Sequence, residues 1–154
     1  MPRTVNLAGY RALAEFRYHI RLFFNATDDA VRTAGLEPEQ YQLLLALRGM
    51  PQGETATIRQ LAQRLQVRHN TAVERIDRLE RMRLVRRAHS AADRREVLID
   101  LTPRGDAIFK KLAELRLREL RRSGPALVRA LGNVVEAARR IGGRSSSYRR
   151  RKGG

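Results

Sequence analysis

The stretch from Thr57 to Thr102, TIRQLAQRLQVRHNTAVERIDRLERMRLVRRAHSAADRREVLIDLT, leaves few folds open to this chain. Its hydrophobic period switches partway along from helical to alternating. Ile58, Leu61, Ala62 and Leu65 recur at i, i+3, i+4 and i+7, one apolar stripe of a short helix. Thr57, with Gln60 three residues on, predicts a capping box at its start. Gln66, Val67 and Arg68 make a tight connection without Gly or Pro. A second helix is predicted to run to about Arg83, capped by His69 or Asn70, with Ala72, Val73, Ile76, Leu79 and Met82 facing inward. Residues 84–89 and 96–101 then read as two strands rich in β-formers, joined by a charged loop over 90–95. Two helices and a hairpin in that order predict a winged helix-turn-helix. Such a unit sets one helix in the major groove of a duplex and one loop in the minor groove.

The polar residues of the second helix suit that task. Arg68, His69, Asn70, Thr71, Glu74, Arg75 and Arg78 project away from the inward face, and the polar residues are concentrated in the first two turns, where a recognition helix meets base edges. Arg can pair bidentately with guanine, Asn with adenine, and Glu can accept from cytosine. Base reading is therefore expected from His69, Asn70, Thr71, Glu74 and Arg75, and phosphate contact from Arg59, Arg68, Arg86 and Arg87. On the loop, Arg95 is expected to enter the minor groove, oriented by the Asp93 carboxylate and assisted by Arg94. The plain alternative is a solvated ion pair at a hairpin tip. Asp77 and Arg81, four apart, predict a surface ion pair on the second helix.

The runs TIRQLAQRL, TAVERIDRLERMRLV and DRREVLIDLTPRG resemble the MarR family of winged helix-turn-helix repressors. The most diagnostic stretch is 93–102, D-R-R-x-x-x-x-x-L-T. The likeness extends over the flanking helices and leaves out only about the last dozen residues. It implies an obligate homodimer, duplex operator DNA and a small-molecule signal that weakens binding. One position departs from the family: Arg83 stands where a Gly usually ends the recognition helix. An Arg in a left-handed conformation there would cost about 1 kcal/mol. The resemblance also implies an effector pocket where dimer helices meet the winged domain. It would draw on Phe16, His19, Phe23 and Tyr41, with Arg17 available to a small anionic, aromatic effector. The alternative for Phe16, Phe23 and Tyr41 is core packing, and for His19 a partly buried polar residue.

Outside the central stretch the pattern is helical. A long helix is expected over 6–34, apolar on more than one side through Leu13, Phe16, Ile20, Phe23, Phe24 and Val31. Pro38 opens the next, which carries Tyr41, Leu44, Leu45 and Leu47 and stops at Gly49. A connection over 49–55 follows, and Ala56 and its neighbours are expected to add a short third strand beside the wing. Thr102 and Pro103 start a connecting helix. Ser123, Gly124 and Pro125 are expected to break it, and a last helix runs to Ile141. The expected organisation is mainly α (α+β), a single domain over 1–143. Within it 5–48 and 125–141 are dimerisation helices, 55–102 the winged helix-turn-helix and 102–123 the connecting helix. Residues 144–154 form a basic tail carrying five positive charges.

Charge and composition narrow the partners. A formal net charge of +16 favours an anionic partner. The basic residues are 29 Arg and 3 Lys, and Arg forks fit phosphate and base edges. Cys is absent, which excludes disulfides, thiolate metal sites and the thiol sensing of the peroxide-responsive branch of the family. Three separated His residues make no zinc pattern, and no cofactor is expected. No Gly-rich phosphate loop, thiol nucleophile or facing carboxylate pair stands out, so the expectation is a regulator and not an enzyme. No apolar run approaches ~20 residues and the N-terminus leads into no signal core, so a cytoplasmic location is expected. A non-specific architectural nucleic-acid-binding protein is the alternative function.

Overall fold

The computed structural model describes residues 4–142. Among them the chain runs α1 (Leu7–Thr33), α2 (Pro38–Arg48), α3 (Ile58–Arg64), α4 (His69–Arg81), β1 (Val85–His89), β2 (Val97–Leu101) and α5 (Pro103–Gly142). Two units can be told apart. Thr27–Leu117 form the winged unit; the described residues up to Ala26 and from Arg118 onward form a helical unit.

The winged unit has one apolar core. Leu43, Leu44 and Leu47 of α2, Leu61 of α3, and Ile76 and Leu79 of α4 are buried. So are Leu84, Val85 and Ile99 of the wing's base, and Phe109 and Leu112 of α5. Helix α2, expected among the dimerisation helices, puts Leu43, Leu44 and Leu47 in this core and leaves Leu45 exposed. A short amphipathic helix shows in its sequence which face is apolar but not what covers it. Tyr41 on α2 is 3% exposed and stacks on Phe109, centroids 5.9 Å apart. Burial pushes its phenol above the ordinary tyrosine range, with Arg116 pulling the other way.

Three helices end alike, and only one uses glycine. After α1, Gly35 takes a φ of 81°, and Leu36 N–H donates to the Val31 carbonyl at 3.1 Å. After α3, Gln66 takes φ 56° and Val67 N–H reaches the Ala62 carbonyl at 3.0 Å. After α4, Arg83 takes φ 60° and Leu84 N–H reaches the Leu79 carbonyl at 2.9 Å. These are Schellman ends, in which a left-handed residue lets the next amide satisfy an orphan carbonyl. The tight 66–68 connection is possible because Gln66 accepts that conformation. Arg83→Gly should accordingly stabilise the fold by about 1 kcal/mol, read as a higher denaturation midpoint at unchanged slope.

Helix starts depart from expectation in detail. The Thr57 hydroxyl accepts from Gln60 N–H at 3.2 Å, but the Thr57 amide donates to the Thr55 carbonyl instead of to Gln60. Only half of the capping box forms. The N-cap of α4 is Arg68, with no side-chain cap bond, and His69 is already helical. Neither His69 nor Asn70 caps it, because the left-handed turn at Gln66 starts α4 one residue early.

The third strand reduces to one bridge, Thr57 to Leu98, with Ile99 N–H donating to the Ala56 carbonyl at 2.9 Å. The largest correction concerns the C-terminus. The break expected at 123–125 does not occur: α5 is continuous for 40 residues with Pro125 inside it. Proline removes one backbone donor and clashes with a preceding Cβ. Gly124 has no Cβ, which removes that clash. The Ser123 hydroxyl donates back to the Glu119 carbonyl at 3.1 Å. Glycine before the proline thus relieves one of the obstacles that proline puts in a helix, while the missing donor and the approach to the Arg121 carbonyl remain.

In the helical unit, Leu7, Tyr10, Leu13, Tyr18, Leu22, Phe24, Val128, Leu131, Val135 and Ile141 are between 41% and 69% exposed. Among the described residues no helix is long and apolar enough to cross a membrane. The basic tail expected over 144–154 lies outside the described residues.

Candidate nucleic-acid interface

Helix α4 buries Ala72, Ile76 and Leu79. At about 100° per residue the opposite side carries Asn70, Glu74, Arg78 and Arg81, all exposed. Arg68 and His69 are exposed at its start, while Thr71 and Arg75 are half-buried along its flanks. The outward face therefore reaches Arg81, beyond the Arg78 expected on it. Sequence reasoning omits Arg78 and Arg81 from the interface, although Arg78 lies four residues after Glu74 and so shares its face. Arg59 is exposed on α3.

The wing is antiparallel, with Val85 opposite Leu101 and His89 opposite Val97. Ile99 points into the core, and Arg86 and Asp100, paired across the ladder, are exposed. The loop between the strands closes through backbone bonds. Ser90 N–H donates to the Glu96 carbonyl and Glu96 N–H to the Asp93 carbonyl, both at 3.0 Å. The buried Ser90 hydroxyl accepts from Ala92 N–H at 3.3 Å. Arg94 and Arg95 project into solvent from this loop.

Three expected contacts take a different form. The Asp93 carboxylate accepts from the backbone N–H of Arg95 at 2.9 Å, so it fixes the turn that carries Arg95 rather than its guanidinium. A carboxylate two residues before an amide closes an Asx turn more readily than it reaches a flexible side chain. Arg87, expected on phosphate, is instead half-buried between two acids of α4. One guanidinium nitrogen lies 2.6 Å from an Asp77 carboxylate oxygen, and the other hydrogen-bonds Glu80. The Asp77 bond, with Glu80's charge beside it, raises the guanidinium pKa above its ordinary value against the opposing effect of burial. Asp77 thus pairs with Arg87 and not with Arg81, since a fork between two carboxylates outcompetes one exposed i,i+4 contact.

The residues expected around an effector lie in both units. Phe16, Arg17, His19 and Phe23 are on α1 in the helical unit, whereas Tyr41 belongs to the winged core. Arg17 is exposed; Phe16, His19 and Phe23 are half-buried. His19 sits 3.8 Å from Glu15, one turn earlier, and edge-on to Tyr18. Among the described residues no cluster of three His, Asp or Glu is placed to hold a metal.

Known proteins share this architecture. Residues 34–96 match the sequence profile of the MarR family. No curated protein matches the chain. AbsC, a MarR family transcriptional regulator from Streptomyces coelicolor, superposes with a TM-score of 0.70 at 23% identity, covering 91% of this chain and 95% of that one. YusO from Bacillus subtilis gives 0.61 at 19% identity, with 89% and 99% covered. The transcriptional regulator MOSR from M. tuberculosis, solved in complex with DNA, gives 0.54 at 28% identity, with 80% and 92% covered. Residues 34–96, which hold the helix-turn-helix and the wing loop, are thus similar to the MarR family, and the solved structures share the fold of the chain.

Proposed function

We propose that this protein is a sequence-specific, homodimeric transcriptional regulator that binds duplex operator DNA and represses. The observation that carries this reading is the polar outer face of α4 beside a wing tipped by Arg94 and Arg95 in one winged unit. Helix α4 enters the major groove, where Asn70, Glu74 and the flanking His69, Thr71 and Arg75 meet base edges. The wing tip enters the adjacent minor groove, and Arg59, Arg68 and Arg86 meet phosphate. The complex of MOSR with DNA, a protein similar in fold, supports this reading.

The exposed apolar side chains of the helical unit support dimerisation, since a monomer rarely leaves so many large ones in water. A two-fold pair would present two copies of α4 roughly 34–36 Å apart, one turn of B-DNA. The effector reading rests on Phe16, Arg17, His19 and Phe23; Tyr41 contributes to the core instead. A small anionic aromatic molecule that releases DNA must bind the DNA-free dimer more tightly, and DNA must weaken it equally.

The test is selection from a random-sequence duplex pool by the purified protein, followed by affinity for the winner against random DNA. A preference of about 10³ or more supports the reading. A ratio near one rejects it in favour of non-specific binding. Light scattering at micromolar concentration should give twice the chain mass. On the selected duplex, Arg86→Ala should reduce the salt slope by about 0.9 and leave the preference intact, as loss of one phosphate contact requires.

A further inference from the structure

In the proposed function α4 and the wing make two contacts on one duplex, and what holds them at a fixed mutual angle is a separate question. The covalent joint is short: Met82, Arg83 and Leu84 separate α4 from β1. The wing tip is five strand residues from that joint, about 17 Å at ~3.3 Å per residue. A rotation of only ~10° at the base would therefore shift the tip by about 3 Å. That is enough to withdraw a side chain from a groove about 6 Å wide.

Arg87 spans this joint. It projects from the third residue of β1 back onto α4, where Asp77 and Glu80 stand one turn apart on the same side. Each carboxylate takes one terminal nitrogen of the guanidinium. A planar fork with both ends held resists rotation as well as separation. Arg87 is the residue next to Arg86, whose side chain points the opposite way into solvent, so the two neighbours do different work.

We infer that Arg87, gripped by Asp77 and Glu80, is a positioning residue that locks the wing to α4 so that both reach the duplex together. This inference rests on the proposed DNA reading for its purpose but not for its geometry. With its charge matched by two acids, Arg87 neutralises no phosphate.

Two measurements test it. The chain has no Cys, so spin labels can be placed by Ala91→Cys on the wing loop and Arg81→Cys on α4, diluted with unlabelled chain. Pulsed electron resonance should give a narrow distance distribution, broadened by Arg87→Met at unchanged helix content. An equal width in both proteins would overturn the lock. This readout needs no DNA, so it stands even if the protein prefers no duplex.

On the selected duplex, Arg87→Met should weaken binding about tenfold without changing the salt slope. The variant Asp77→Asn with Glu80→Gln gives the sharper result. It removes two negative charges near DNA, so simple electrostatics requires tighter binding, whereas loss of the lock requires weaker binding. Arg95→Ala should lose less affinity in the Arg87→Met background than in the parent, because the misplaced wing has less left to lose. Tighter binding by the double carboxylate variant, or a fall in slope of about 0.9 for Arg87→Met, would make Arg87 a phosphate contact instead.

Discussion

Gly105→Ala should destabilise the fold by about 3 kcal/mol, the upper end of what overpacking does to a core. Gly105 sits buried in the first turn of α5, against the chain that leaves α4. A Cβ there would lie 1.9 Å from the Leu84 carbonyl oxygen and 2.8 Å from its carbon. Those atoms are backbone and cannot swing aside. They are also pinned, because Leu84 O accepts from Thr102 N–H at 3.1 Å and Arg83 O accepts from the Thr102 hydroxyl at 2.7 Å. Relief would require α5 to lift from the wing's base and break that pair of bonds. The gain in helix propensity from alanine, about 1 kcal/mol, is too small to offset this. Gly132→Ala makes the same chemical change in the same helix where nothing lies within 4 Å of the new methyl. It should stabilise by roughly 0.5–1 kcal/mol. Denaturant unfolding of both variants gives opposite signs if close approach at Gly105 is the reason for glycine there.

The second large effect is on binding. Arg95→Ala should weaken binding to the selected duplex by roughly 1–3 kcal/mol, or about 5- to 150-fold. A guanidinium in a narrow minor groove gains from the enhanced negative potential there, which no phosphate contact on the outer backbone matches. Arg95 is exposed at the end of an Asx turn, its amide held by Asp93, so its Cα is placed while its side chain is free to enter a groove. Asp93→Ala should lose less than Arg95→Ala, since it loosens the turn without removing the cation. Fluorescence anisotropy on labelled duplex measures both. Equal affinity for Arg95→Ala and the parent would mean that the wing does not sit in the groove.

Much of this architecture is legible in the chain itself. The stripe Ile58, Leu61 and Leu65, the Thr57 cap and the alternation after Leu84 place α3, α4 and the hairpin within a residue or two. Pro38 and Pro103 mark two helix starts because in a first turn proline's missing N–H would be unpaired anyway. Hydrophobic period speaks for residues that touch along one element. It is silent on Arg87, whose partners lie seven and ten residues back on another element. It is silent also on Gly105, whose need for a bare Cα comes from a neighbouring backbone. Pro125 misleads because part of its effect depends on the residue before it, and glycine there presents no Cβ to its ring. The aromatic residues of α1 carry no spacing that separates a ligand pocket from packing.

The single bridge from Thr57 to Leu98 has a further consequence. A two-stranded ribbon consists of nothing but edges, and unpaired edges invite strands from other molecules. Here the far side of β2 is occupied by a few backbone atoms from the segment before α3. The open side of β1 bears an exposed arginine and histidine, whose charge and bulk discourage stacking. The ribbon can thus stand out from the body of the protein without seeding aggregates.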